Sequence, residues 1–192
     1  CMFSASLLQY IERIMIIMSF KKIDLSELTI NPFKLIGKDW MLLTAGNAEK
    51  YNTMTASWGQ LGVLWNKNVF TCYIRPNRYT YEFVEDNEFF TASFFSEEYR
   101  EALKFCGSKS GRDYDKAKET GLTPTELDGS IAFNEANMVI VCRKLYKDSL
   151  KSEGFLTNEG FANTFYGADP YHERYIAEIV AVNRKTAIIL TM

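Results

Sequence analysis

Two short runs, WMLLTAG (Trp40 to Gly46) and NTMTASWG (Asn52 to Gly59), flank the polar turn NAEKY, and no other feature limits the fold of this chain more. A connection this short joins antiparallel strands, because a parallel crossover needs a dozen residues or more. The pair reads as a hairpin. Further strands follow at NVFTCYI (Asn68 to Ile74) and EFFTASFF (Glu88 to Phe95), one or two in IAFNEANMVIVCRKLYKD, and another pair in RYIAEIVAVNRKTAIILTM.

Between these runs lie a brief helical turn at DLSEL and an extended approach, NPFKLIGKDW, closed by Gly37. NRYTYEFVEDN reads as a helix with Pro76 near its entrance, Asn77 as N-cap, and Tyr81 and Val84 on one face. SEEYREALKFCG is a second helix, capped by Ser96, with Tyr99, Leu103 and Cys106 sharing a face. A third, DYDKAKETG, runs from an Asp113 cap to a Gly121 stop. Strands outnumber helices and mostly follow one another through short turns. The expected fold is mainly β with inserted helices, an antiparallel barrel.

With 192 residues, 47% of them hydrophobic and 15% aromatic, the chain can bury a substantial core. Lysine and arginine number 22 against 24 acids, so no basic excess points to nucleic acid or an anionic membrane, and any anion site must be local. The cysteines, Cys1, Cys72, Cys106 and Cys142, show neither a CxxC pair nor disulfide-framework spacing, which fits a reducing, cytoplasmic setting. With His172 the sole histidine and no zinc-type Cys/His spacing, no metal site is expected.

Near the start, LLQYIERIMIIM sets Leu7, Tyr10, Ile11, Ile14, Met15 and Met18 at helical spacing around Glu12 and Arg13. The stretch is too short and interrupted to span a membrane and has no secretory leader pattern. Residues 1–17 read as an upstream extension or cloning remnant, or as an amphipathic helix docked on a domain spanning 18–192.

The hairpin's second strand is unusual. In NTMTASWGQLGVLWN the residues Thr53, Thr55 and Ser57 alternate with Met54, Ala56 and Trp58, so one face is hydroxyls and the other mostly small, where a core strand would carry Val and Ile. Such an edge suits a polar heterocycle, with Trp58 and a Gly59/Gly62 loop against its face. Ordinary packing of Trp58 also fits.

Two further segments suit an anion. Arg75 ends a strand, and Arg78, Tyr79 and Thr80 occupy the first turn of the next helix, where free N–H groups and the helix dipole favour a phosphate. The same spacing also suits an Arg78–Glu82 pair on the helix surface. GSKSGRDYDK, Gly107 to Lys116, mixes glycines, serines and cations without the Gly-Lys-Ser/Thr end of a Walker loop, and reads equally as a solvated turn. A planar ligand with a phosphate tail would use all three segments. A dinucleotide GxGxxG and a nucleophile elbow are both missing, so no catalytic residue is assigned.

NPFKLIGKDWMLLTAG, NTMTASWGQLGVLWNKNV, IRPNRYTYEFVEDNEFFTASFF and FCGSKSGRDYDKAKETGLTP, in that order, resemble the flavin reductase-like family, flavoredoxin-type proteins included. The resemblance runs from about Asn31 to Pro124 and fainter to YHERYIAEIV. It implies an FMN-binding split β-barrel, a homodimer with FMN near the interface, and hydride transfer from NADH or NADPH to flavin N5 with electrons passed to an acceptor. A flavoredoxin-like carrier reduced by a ferredoxin-like protein, or a flavin-binding module without turnover, are the alternatives. By resemblance, Asn52, Thr55, Ala56, Ser57 and Trp58 lie at the isoalloxazine ring. Arg75, Arg78, Tyr79 and Thr80 hold the phosphate, and Lys116 with Ser110 and Gly111 complete the site. His172 falls where family members carry a histidine before a strand, facing the ligand or serving the fold.

Overall fold

The structure, a computed structural model, describes residues 14–191, with side chains described for 18–187. Ten strands dominate it: β1 (Ile14–Ile23), β2 (Met41–Gly46), β3 (Tyr51–Ala56), β4 (Gly59–Leu64), β5 (Lys67–Ile74), β6 (Phe89–Phe94), β7 (Pro124–Leu127), β8 (Ser130–Phe133), β9 (Met138–Ser149) and β10 (Glu173–Thr191). All pairings are antiparallel. The main sheet runs β3-β2-β6-β9-β10-β5-β4 with β1 on β10, and β7-β8 form a separate hairpin. Five short helices interrupt the strands: α1 (Pro32–Lys34), α2 (Tyr79–Asp86), α3 (Arg100–Ser108), α4 (Lys116–Thr120) and α5 (Phe161–Tyr166).

The sheet curls so that β5 and β6 face each other across an apolar interior. Phe70 of β5 and Phe90 of β6 are separated in the sheet by β9 and β10, yet their ring centroids lie 6.3 Å apart. Around them Leu43, Ile140, Cys142, Tyr175 and Ala177 fill the same interior, each from a strand position two removed from the next inward one. The opposite face of β2 and β9, with Leu42, Val139 and Val141, is covered by Leu103 and Cys106 of α3, Ala117 of α4 and Phe133 of β8. β3 is thereby left at one end of the sheet, with α2 and α3 packed beside it.

Several elements differ from the sequence expectation. NPFKLIGKDW is not extended. Asn31 accepts from the amides of Phe33 and Lys34 at 3.1 and 3.2 Å with Pro32 at the first helical position, so α1 forms and continues as a π-helical turn through Asp39. The presumed Gly59/Gly62 loop is strand β4, and its hairpin with β5 turns at Trp65 and Asn66, both at positive φ (52° and 56°), as a type I′ turn requires. RYIAEIVAVNRKTAIILTM is one strand rather than two. It carries register shifts at Ile176/Ala177 and Ile179/Ala181 but contains no glycine or proline to break it.

Residues 14–18, placed by helical spacing on an amphipathic helix, instead pair with β10; β-branched Ile14, Ile16 and Ile17 suit a strand. The remainder of that expected helix lies outside the described residues. The expected domain start at residue 18 falls inside β1. α2 is capped by the Arg78 backbone with no side-chain cap from Asn77, Ser96 bonds Glu98 rather than the helix backbone, and Asp115 rather than Asp113 caps α4. Gly121 stops α4 in the left-handed conformation, φ 69°.

Phe90 is fully buried in the apolar interior, against Phe70 of β5. Phe90→Ala should lower the unfolding free energy by ~3–5 kcal/mol, the usual result for a large aromatic left as a cavity, read as a shift of the urea midpoint at unchanged slope.

Candidate functional site

The site begins with the position of β3 at the end of the sheet. A terminal strand has backbone N–H and C=O groups with no strand partner, and the chain must cover or use them. Lys116, at the start of α4, covers one: its Nζ donates to the Thr53 carbonyl and to the Cys106 carbonyl, both at 2.8 Å. The hydroxyls of β3 divide between fold and groove. Thr53 bonds Thr44 across the hairpin at 2.8 Å, and Thr55 donates to the Leu103 carbonyl, which fixes α3 against the strand. Met54, Thr55, Ala56, Ser57 and Trp58 line a pocket of about 220 Å³ together with Tyr73, Arg75, Arg78 and His172.

A smaller pocket of about 110 Å³ adjoins it, sharing Met54 and Arg78 and lined also by Tyr79, Thr80, Ser110, Gly111 and Lys116. Its character is cationic. Lys116 is only 7% exposed, and burial pushes its ammonium pKa down to about 8, with Arg78 adding to the shift and Cys106 opposing it. Arg78 stands at the N-terminus of α2 with no carboxylate against it among the described residues. Glu82, its expected partner four residues on, pairs with Arg112 instead. Since no side chain caps α2, the first-turn amides of Tyr79 and Thr80 remain available. Three cations, Arg78, Lys109 and Lys116, with free amides and the Thr80 hydroxyl, thus surround a space the size of a phosphate with no protein anion among the described residues lining it.

Asn52 takes a supporting place. It is 6% exposed, donates to Thr80 Oγ1 at 2.8 Å, and lines neither of these pockets. The bond leaves the Thr80 hydroxyl proton free to turn into the pocket. Gly111 is fixed by the same contact, since a Cβ there would stand 1.9 Å from Asn52 Oδ1. Tyr79 packs its ring edge on Phe83 and its face under the Arg112 guanidinium, 4.5 Å away.

Arg75 is held differently from Arg78. Its guanidinium pairs with Asp169 and donates to the Phe165 carbonyl at 2.7 Å, with Nε buried and without a partner. It therefore anchors the segment carrying α5 over the groove. His172, just before β10, sits 5.0 Å from the Trp58 ring with Nδ1 2.9 Å from the Tyr166 hydroxyl. Burial and the nearby Arg75 and Arg78 push its pKa down to about 4, so at neutral pH it offers a hydrogen bond and no charge.

The structure gathers Thr55, Ala56, Ser57, Trp58, Arg75, Arg78 and His172 around one pocket, and Arg78, Tyr79, Thr80, Ser110, Gly111 and Lys116 around the next. Sequence reasoning missed Met54 and Tyr73, which line the groove, and the aromatic segment Phe155 to Tyr171 that covers it. The i, i+4 spacing of Phe161 and Phe165 was the available signal. Among the described residues no cluster of three or more His, Cys, Asp or Glu is placed to hold a metal ion, and no helix is long and apolar enough to cross a membrane.

An open antiparallel sheet curled around an apolar interior, with a cationic pocket beside its end strand, defines a split-barrel class of ligand-binding protein. A model of the flavin reductase like domain matches residues 34–187, and the chain belongs to that family. Its structure is similar to an FMN-binding domain of a flavin reductases-like enzyme from Shewanella baltica (TM-score 0.61, 16% identity, 86% of this chain and 77% of that one). It is also similar to flavoredoxin of Desulfovibrio vulgaris (0.60, 20%, 85% and 76%). A third similar structure is an NADH:FAD oxidoreductase of Streptomyces globisporus in complex with NAD and FAD fragments (0.56, 11%, 80% of each chain). At these identities the likeness establishes the fold. No curated protein matches the chain.

Because Lys116 loses its proton near pH 8, its charge is complete well below that pH and lost above it. Binding an anion above pH 8 must bring a proton with it, so affinity falls as pH rises. With FMN as a phosphate-monoester titrant, the dissociation constant should rise roughly tenfold between pH 7 and 9, where the phosphate itself stays dianionic. Lys116→Met should flatten that profile.

Proposed function

We propose that the chain is an FMN-dependent oxidoreductase that takes reducing equivalents from NADH or NADPH. One observation carries the reading: the buried Lys116 ammonium and the Arg78 guanidinium, which has no carboxylate partner among the described residues, face a phosphate-sized pocket at the uncapped N-terminus of α2. That pocket opens onto the polar edge of β3. The residues present fit FMN. Arg78, Thr80, Lys116, the α2 amides and Ser110 would hold the phosphate. Thr55, Ala56, Ser57 and Trp58, with Arg75 and His172, would line the ring.

When bound, FMN supplies the two-electron redox chemistry. The protein's part is positional and electrostatic. Small, buried Ala56 lets the strand approach closely, His172 contributes a neutral hydrogen-bonding nitrogen, and the unpartnered Arg75 Nε offers a donor on a cation already fixed by Asp169. Trp58, 41% exposed and set edge-on to Phe165, forms the border between the groove and solvent. No acid or base side chain is needed at the ring for hydride transfer from a nicotinamide. A chamber beside Trp58 gives a small molecule access to the groove, which favours a nicotinamide donor over a ferredoxin-like protein.

Exposed Val63, Leu64 and Trp65 at the β4–β5 turn, with Tyr146 against Trp65, form an apolar patch that supports a homodimer. A cytoplasmic location agrees with the free, buried thiols of Cys72, Cys106 and Cys142.

The test is an absorption spectrum after loading with FMN and desalting, followed by anaerobic NADH and then NADPH. Retained flavin bands that bleach with a nicotinamide are expected; bands that bleach only with a reduced ferredoxin would make the chain an electron carrier. Arg78→Ala should weaken FMN binding by ~1.5–3 kcal/mol, the usual worth of a charged hydrogen bond, and an unchanged dissociation constant would remove Arg78 from the phosphate site.

A further inference from the structure

Beyond Trp58 the groove widens into a chamber of about 730 Å³, within the ~300–1,000 Å³ range of small-molecule sites. Ser57, Trp58 and Tyr73 line both this chamber and the pocket beside β3, so the space is continuous. Phe33 and Ile36, Leu61 of β4, and Phe161 and Phe165 of α5 line the chamber. Phe33, Phe161 and Phe165 are exposed, which leaves aromatic surface open to the chamber and to water.

The chemistry of the lining is one-sided. Its polar members, Ser57, Gln60, Tyr73 and Tyr166, are neutral, and no charged side chain among the described residues lines it. Arg75, the cation nearest in sequence to Tyr73, is occupied by Asp169 and the Phe165 carbonyl. A phosphate, carboxylate or sulfonate entering here would lose water and gain no cation. A flat, uncharged ring would lose little hydration and gain edge and face contacts with Trp58 and Phe165, which stand at 88° to each other.

We propose that this chamber is the acceptor subsite and that it takes an uncharged aromatic acceptor of the quinone class. The inference rests on the oxidoreductase reading above and names its second substrate. The overall reaction balances: NAD(P)H gives two electrons and a proton as hydride and becomes NAD(P)⁺, while the quinone takes up those two electrons with that proton and one from solvent to become the hydroquinone. The anionic donor keeps its phosphates outside the chamber, whereas the neutral acceptor enters whole.

Calorimetric titration with 1,4-naphthoquinone and with its 2-sulfonate tests this, using flavin-free and FMN-loaded protein. The neutral quinone should bind both forms at least about tenfold more tightly than the sulfonate, a difference of ~1.4 kcal/mol. Phe161→Lys, a change at an exposed position, should cancel or invert that ratio at an unchanged Tm. Equal affinities, tighter sulfonate binding or no binding of either probe would overturn the proposal. So would a Phe161→Lys variant that turns a dimer into a monomer by sedimentation, which would mean that a second copy of the chain covers the chamber. The ratio in flavin-free protein does not depend on FMN, so its failure is distinct from a failure to retain flavin or to bleach with a nicotinamide.

Discussion

A lysine ammonium buried against the end strand of the sheet organises everything around it. Lys116 spends two of its three donors on the Thr53 and Cys106 carbonyls, which ties α4 to β3 and closes α3 onto the same strand. A buried cation is costly unless it is paired, and here the pairing is with carbonyl dipoles alone. The lowered pKa records that deficit. Arg78 makes the imbalance worse, since a like charge raises the cost of keeping Lys116 protonated. A fold that places two such groups around a cavity, with an uncapped helix end between them, is stabilised by any anion that enters.

The end strand itself explains the odd composition of β3. Its hydroxyls do not all face the ligand groove: Thr53 is spent on Thr44 and Thr55 on α3. Val or Ile there would leave the Leu103 carbonyl without that donor, and Gly107 keeps α3 close to the strand, since a Cβ on it would lie 3.2 Å from Thr55 Cβ. The same residues thus hold α3 at the distance from β3 at which Met54, Thr55 and Ser57 can still border an open groove.

What could be read from the sequence was local. The hairpin of β2 and β3, the strands at β5 and β6 and the helix at α2 follow from alternation, spacing and turn residues, and the structure has them. β4 was hidden because its two glycines look like a loop, although Gly59 lies where a side chain would meet the Thr71 carbonyl at 2.8 Å. The pocket lining was legible where it coincides with such elements, as at Arg78, whereas Lys116 was singled out through the family resemblance. It was illegible where tertiary pairing decides the role. Nothing near Arg75 announces Asp169, 94 residues on, and nothing in NTMTASWG announces that Asn52 turns to Thr80.

The groove is polarised along its length, and this constrains how any ligand lies in it. At one end are Arg78, Lys116 and free amides, and at the other a neutral aromatic chamber, with Ser57, Trp58 and Tyr73 at the junction. A molecule with an anionic tail and a flat ring would be bound in one orientation, because the reverse would bury the anion among phenyl rings and leave the cations at the other end without it. The ring is then held at the junction, with one end of the groove occupied by its own tail and the other open. Arg75 keeps that second end open yet neutral: by pairing with Asp169 it braces α5 as a wall and withdraws the charge that would otherwise draw a second anion in.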